Sequence, residues 1–432
     1  DDRVARATLD LGLPGLDTIR EQSRVRPGDG SALAVVGRTD IDGQGISGLE
    51  MVYDEVLKGM AGEKILEVGV RGATIPGGEH YLNPAQEGHT LILSLDRSLQ
   101  FEAQRVLTAG VEKAEAKGGI LIAMEPSSGQ ILATVSVQRD EYDLVQSSTE
   151  HRSATWSYEP GSIIKPLTIS ALLDSGLAEP GTLREVPDRI RVHDADFRDS
   201  SPHKNEVWSI AEIIKRSSNV GTILWAKDLG SVALHARLID FGLGQPTGLG
   251  VPGEASGILR PLGTWSGTSL PTIAIGQGVA ATPIQMIASY STLANRGVRV
   301  VPTLTIGTQT HAGVLETVET GPVRRVVSEE TAEQLVGMIE TAVSSGTGWR
   351  AQVPGYRVAG KTGTAWKPHP GGGYGEDDDD VRYVASFAGF LPADAPEIAV
   401  LVIIDEPAIH SYSGGRAAAP VFAEFVKVAV RQ

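Results

Sequence analysis

Apolar and polar positions alternate along this chain in blocks whose length and period separate strands from helices. The apolar runs 120–124 and 131–137 flank Pro126-Ser-Ser-Gly129, which predicts a hairpin over 118–137. Thr90-Leu-Ile-Leu-Ser-Leu95 reads as a strand, and Asp96 as the N-cap of a helix to about 117. Leu167, Ala171 and Leu172 recur at helical spacing after Pro166 and stop at Gly176. Ser209-Ile-Ala-Glu212 matches a capping box, and its helix is followed after Arg216-Ser-Ser-Asn219 by a second, with Val220, Ile223 and Leu224. A helix is expected around 286–293, strands near 298–301, and a helix from Ser328 to about 343. Strands are expected next to 355–366 and over 383–391 and 397–404, and a closing helix from Pro420 to about 430. The late strands are close in sequence, so an antiparallel sheet is natural.

The first 90 residues differ. They are polar and glycine-rich, with short apolar runs at 32–36 and 65–70 that read as strands of a small β-rich unit. The glycines of Asp42-Gly-Gln-Gly-Ile-Ser-Gly-Leu-Glu50 neither follow a strand nor open a helix as a dinucleotide fingerprint does, so a tight turn leading into a helix is expected. The pattern changes near residue 90, which divides the chain into 1–90 and 91–432.

At 432 residues the chain is long enough for two domains. An apolar fraction of 41% with 21% charged residues is that of a globular protein. A net charge of −15 argues against nucleic acid or an anionic membrane as the main ligand. The absence of cysteine removes disulfides, thiolate metal sites and a cysteine nucleophile. No apolar run approaches the ~20 residues that span a bilayer, and neither an initiator Met nor a signal peptide opens the chain. A mature or truncated piece is expected, with any anchor upstream.

Among the charged stretches, His193, Asp194, Asp196, Arg198 and Asp199 read as a solvated loop rather than a metal site, since no H-x-x-x-H pair exists. The acidic run 376–380, after Gly371-Gly-Gly373, lacks the calcium-loop pattern and also reads as solvated.

Candidate chemistry begins at Tyr158-Glu-Pro-Gly-Ser-Ile-Ile-Lys165. It places Ser162 at a helix start with Lys165 on the same face. A hydroxyl is a poor nucleophile until a base takes its proton, and a desolvated lysine can be that base. Amides at a helix start can stabilise an oxyanion. The S-x-x-K pair is weak alone, and Ser201-Pro-His-Lys204 repeats it in a polar stretch read as loop. Ser217 and Asn219 sit on a short connection between helices, where they either face a cleft or serve as caps. Lys361-Thr-Gly363 with Thr364 supplies a positive charge, hydroxyls and a strand edge that fits an extended peptide ending in a carboxylate.

Ser162-x-x-Lys165, Ser217-x-Asn219 and Lys361-Thr-Gly363, in this order, are the set shared by penicillin-binding proteins and serine β-lactamases. The chain resembles the class B penicillin-binding proteins over nearly its whole length. The resemblance includes the 42–50 stretch with Tyr53-Asp54, Leu93-Ser-Leu-Asp96, Ala123-Met-Glu-Pro-Ser-Ser-Gly-Gln-Ile-Leu-Ala133, Gly360-Lys-Thr-Gly-Thr-Ala365 and Ser413-Gly-Gly-Arg-Ala-Ala-Ala-Pro-Val-Phe422. The 40–50 stretch and Arg24-Val-Arg-Pro27 resemble the cell-division branch. Ile163-Ile164 stand where the family commonly has Thr-Phe or similar.

This resemblance implies an α/β (α+β) penicillin-binding/β-lactamase-like transpeptidase domain over 91–432, its central antiparallel sheet flanked by helices. An elongated β-rich pedestal for dimerisation or interaction would occupy 1–90. It implies Ser162 as nucleophile, Lys165 as base, Ser217 with Lys361 as proton relay and Asn219 as holder of the substrate amide. The amides of Ser162 and Thr364 would form the oxyanion hole, and Lys361, Thr362, Gly363 and Thr364 would bind the terminal carboxylate. No metal or other cofactor is implied. The expected ligands are D-Ala-D-Ala stem peptides and β-lactams. The expected partners are a membrane glycan polymerase and division proteins, on the extracytoplasmic face of a bacterial membrane. A serine β-lactamase, a β-lactam sensor, a D-alanyl carboxypeptidase and a silent scaffold share parts of the pattern.

Overall fold

The computed structural model describes residues 2–13, 15, 25, 30, 32–70, 75, 78, 80–318, 321–369, 371–374 and 381–431. Six strands form the central sheet: β1 (Gly118–Met124), β2 (Ile131–Arg139), β3 (Val145–Ser147), β4 (Ala359–Lys367), β5 (Arg382–Leu391) and β6 (Ile398–Asp405). Their order is β4-β5-β6-β1-β2-β3, antiparallel throughout, so β4 is an edge strand with one side unpaired.

The continuous apolar runs of β1 and β6 have a physical reason: both faces of the sheet are covered. Alternate residues go to opposite cores. Ile120, Ile122, Leu401 and Ile403 join the core cluster on one face. Leu121, Ala123, Val402 and Ile404 join the cluster on the other. The second core is roofed by α1 (Arg97–Lys113) and α7 (Gly414–Ala429). The first carries α2 (Lys165–Asp174), α3 (Ile210–Arg216), α4 (Asn219–Leu229), α5 (Pro283–Ala294) and α6 (Glu329–Ser344). The expected central antiparallel sheet between helices is thus present. The two central strands and α5 are buried almost end to end.

Most predicted boundaries match. Asp96 Oδ1 accepts from Leu99 N at 2.8 Å, Ser209 Oγ accepts from Glu212 N, and Ser328 Oγ accepts from Thr331 N. Gly45 N donates to Asp54 Oδ1 at 2.8 Å, which closes the predicted glycine turn onto the helix that follows.

Several readings differ: the strand expected over 65–70 is Glu63–Leu66, and the stretch read as a solvated loop at 193–199 is in part a strand, Ala195–Arg198, paired with Arg189–Val192. α1 ends at Lys113 rather than near 117, because Glu115 turns at φ 48° and Lys117 N donates to Asp405 O of the sheet at 3.0 Å. Residues Leu33–Val36 are a helical turn, not a strand: four residues carry too little periodicity to decide, and Gly37 at φ 90° turns the chain away. α7 starts at Gly414, leaving Pro420 inside the helix. Gly414 is the start because its backbone lies against the sheet, where an added Cβ would stand 2.2 Å from Ser386 O and 2.3 Å from Gly363 O. Taking Pro420 as a start signal missed that close approach. The acidic run 376–380 lies outside the described residues, as does Arg24-Val-Arg-Pro27 except for Val25.

His151, after β3, is buried with neither ring nitrogen hydrogen-bonded. Burial pushes its imidazole down from 6.5 to about 4. The folded state therefore binds fewer protons than the unfolded one, and stability is lost as pH falls from the unfolded value toward about 4. A shift of that size corresponds to about 3 kcal/mol. His151→Leu is expected to lose less melting temperature than the wild type across this window. Parallel pH–melting curves would refute this account.

Candidate active site

The site forms where three segments meet at the free edge of β4. The first is the turn before α2. Gly161–Ile164 is a 3₁₀ turn running directly into α2, with Lys165 N donating to Ser162 O. In a 3₁₀ turn residues i and i+3 eclipse, so Ser162 and Lys165 project the same way. The turn is anchored by Gly161 N donating to Gly276 O at 2.9 Å and by Tyr290 Oη donating to Ile163 O at 2.9 Å. Gly161 and Gly276 both have positive φ, and a Cβ on Gly276 would stand 2.1 Å from Gly161 O, so only glycine fits there. Ile163 and Ile164 are fully buried, whereas Ser162 is half-buried. The departure at 163–164 therefore faces the core. Among the described residues the Ser162 hydroxyl has no hydrogen-bond partner.

The second segment joins α3 to α4. Ser217 caps α3 in the left-handed conformation at φ 62°, and Ser218 is the N-cap of α4, its Oγ accepting from Gly221 N at 2.9 Å. The side-chain cap of α4 is thus Ser218, which leaves the side chains of Ser217 and Asn219 to the cleft. Lys165 is fully buried, and its Nζ donates to Ser217 O at 2.6 Å and to Asn219 Oδ1 at 2.8 Å, with Ser217 Oγ at 3.4 Å. Burial pushes its ammonium down from 10.5 to about 7, with Asp199 acting in the opposite sense. At neutral pH a sizeable fraction of Lys165 is the free amine, as a base requires.

The third segment is β4. Lys361 is fully buried, and its Nζ donates to Thr362 O at 3.2 Å. Burial first, and the neighbouring Lys165 second, push it well below an ordinary lysine. The positive charge expected at Lys361 is therefore not a fixed one. Thr362 Oγ1 lies 2.8 Å from Thr347 Oγ1, and Thr364 Oγ1 accepts from Gly414 N at 3.1 Å. Gly363 is needed for packing, since a Cβ there would meet Ser386 Oγ at 2.3 Å and Ile163 Cγ2 at 3.0 Å. The Thr364 carbonyl borders Gly161, 3.0 Å from where a Cβ would be. In an antiparallel strand N–H and C=O of one residue point the same way, so the Thr364 amide also faces the turn carrying Ser162.

All eight predicted site residues thus lie on these three adjoining segments, and Lys165, Ser217 and Asn219 are directly joined. Three further positions were missed. Gly276 seats the Ser162 turn. Glu159 accepts from Gly278 N at 2.8 Å and from Tyr374 Oη at 2.9 Å, tying the start of that turn to two neighbouring loops. Asp199 is buried beneath α4, not solvated with its charged neighbours. Its only signal was a position some twenty residues before Asn219, which periodicity cannot connect. Among the described residues no cluster of three or more His, Asp or Glu could hold a metal, and no helix is long and apolar enough to cross a membrane.

A family model described as the penicillin binding protein transpeptidase domain matches residues 119–427. Among curated relatives, the penicillin-binding protein PbpB of Mycolicibacterium smegmatis is 35% identical, covering 98% of this chain and 67% of its own length. The peptidoglycan D,D-transpeptidase FtsI of Escherichia coli K12 is 32% identical, covering 95% of this chain and 68% of its own. This chain therefore spans about two thirds of the length of these relatives. Among solved structures, penicillin binding protein 3 of Mycobacterium tuberculosis aligns with a TM-score of 0.83 and 31% identity, over 95% of this chain and 90% of that one. That protein has also been solved in complex with aztreonam and with ampicillin.

Proposed function

The chain belongs to the penicillin-binding protein transpeptidase family, and from that membership we propose that it is a class B peptidoglycan D,D-transpeptidase of the septal kind, inhibited by β-lactams. The observation that carries this reading is the buried Lys165, held by Ser217 and Asn219 at the start of the helix that follows the Ser162 turn, where burial pushes its ammonium down to about 7. In this reading Lys165 takes the Ser162 proton as Oγ attacks the penultimate D-alanyl carbonyl. The Oγ–C bond forms, the C–N bond breaks, and D-alanine leaves with a proton relayed through Ser217 and Lys361. The amides of Ser162 and Thr364 hold the oxyanion, each donor being worth roughly 10²–10³ in rate. Asn219 holds the substrate amide. The terminal carboxylate binds along Lys361, Thr362, Gly363 and Thr364, and its charge favours the protonated form of Lys361. An amine from a second stem peptide then displaces Ser162 and completes the cross-link. A β-lactam follows the first half of this path, with its ring nitrogen as leaving group still tethered to the acyl chain.

We further infer that residues 1–90 are a non-catalytic pedestal and 91–432 the catalytic unit. The chain would work on the extracytoplasmic face of the cell membrane, where stem peptides lie, beside a membrane glycan polymerase and division proteins.

Intact mass after incubation with benzylpenicillin tests this. A persistent gain of the whole drug mass is expected. Rapid return to the starting mass with hydrolysed drug would mean a β-lactamase, and no adduct at all would refute acyl transfer.

A further inference from the structure

The polar stretch before α3, including the second S-x-x-K, lies against the back of the site. Asp199 sits there, 8% exposed, with its carboxylate at the N-terminus of α4. Oδ1 accepts from Asn219 N at 2.5 Å and from Val220 N at 2.9 Å, and Oδ2 accepts from Ser218 Oγ at 2.6 Å. His203 Nε2 stands 3.1 Å from Oδ2, while its Nδ1 is 2.6 Å from Lys204 O. A carbonyl and a carboxylate only accept, so both contacts are satisfied together by the imidazolium, with two donors. Trp208 packs against the imidazole at a ring separation of 4.4 Å, and His203 N donates to Asp188 Oδ1 at 3.2 Å. Four donors therefore converge on one carboxylate, three of them from consecutive residues 218–220.

We propose that Asp199, clamped by His203, is a positioning residue for acyl transfer, fixing from outside the three motifs the segment whose Ser217 and Asn219 oxygens hold the Lys165 ammonium. This rests on the function proposed above. One residue separates the two groups: Asn219 donates its backbone N–H to the Asp199 carboxylate and accepts from Lys165 Nζ on its Oδ1. Charge-assisted bonds of this kind are stronger than neutral ones, which suits a segment that carries a left-handed serine. The charged groups around Lys165 are Asp199 and, across the cleft, Lys361, with His203 behind Asp199. Asp199 favours the protonated amine and Lys361 disfavours it.

Asp199→Asn keeps an acceptor for the Asn219 and Val220 amides but removes the charge. Lys165 then gives up its proton at lower pH, so the acid limb of the acylation rate moves down. The loosened segment lowers the plateau, with a loss of about tenfold to a hundredfold. A merely structural role would reduce the active fraction and leave the limb in place.

The experiment is the rate of acylation by a fluorescent penicillin, followed across neutral pH, on the whole chain with melting curves alongside. Wild type, Asp199→Asn, His203→Ala and His203→Gln are compared. Expected are a slower Asp199→Asn with its acid limb shifted down, a slower His203→Ala, and recovery in His203→Gln, whose amide can donate to Asp199. Folded variants with wild-type rates and limb would overturn the inference, as would slowing without a shifted limb in Asp199→Asn. Should Asp199→Asn not fold, His203→Ala decides, with an unchanged rate overturning it. Absence of acylation in the wild type would instead count against the proposed function.

Discussion

Ser162→Ala is expected to take up no benzylpenicillin covalently, while folding and melting as the wild type does. Ser162 is half-buried and its hydroxyl has no partner among the described residues, so its removal orphans nothing. The turn is held instead by Gly161 N, by Ile163 O and by the buried Ile163 and Ile164, none of which the substitution touches. Melting should therefore change by no more than about 0.5 kcal/mol, as for a surface substitution. Chemistry should change far more. With the nucleophile gone, the amides and the two lysines have no atom to activate, and loss of a serine nucleophile costs about 10⁶ in rate in comparable enzymes. Intact mass over hours reads both the adduct and its absence, and a melting curve confirms the fold. An adduct on the alanine variant would move the nucleophile elsewhere, with Ser217 the first residue to examine.

How much of this was legible beforehand depended on the range of the interaction. Local patterns translated well. The continuous apolar runs of β1 and β6 are the consequence of two covering layers, and Asp96, Ser209 and Ser328 cap their helices because capping needs only residues three apart. The three motifs were readable for the same reason, each being short and set on a local feature: a 3₁₀ turn, a helix–helix connection, an edge strand. Contacts between distant segments were not readable. Gly414 starts α7 because it packs on β4 and β5, and Gly276 is glycine because of Gly161, more than a hundred residues away. Asp199 looked like one acid in a polar stretch, and its burial depends on where α4 lies. The downward push on the Lys361 ammonium was not legible either, since burial and the proximity of Lys165 are tertiary facts.

Lys165→Arg separates the base from a mere cation. In the wild type the acylation rate is expected to rise with pH through about 7, since burial has brought the amine to that value and only its neutral form takes the Ser162 proton. Below that value the ammonium stays charged and keeps its bonds to Ser217 O and Asn219 Oδ1, which preserves the geometry and blocks the chemistry. Arginine can reach the same oxygens but stays protonated across the accessible range. The variant should therefore be slower by about 10²–10⁴ and should lack the limb near neutrality. Lys361→Arg makes the contrast. Lys361 is the relay and carboxylate partner in this reading, so that variant should retain a limb, moved to lower pH by the fixed charge now beside Lys165, while binding the drug more weakly. Rapid mixing with a fluorescent penicillin over a pH series measures both. A limb that survives in Lys165→Arg and vanishes in Lys361→Arg would exchange the two roles, because each lysine is buried, each is depressed, and only their partners distinguish them.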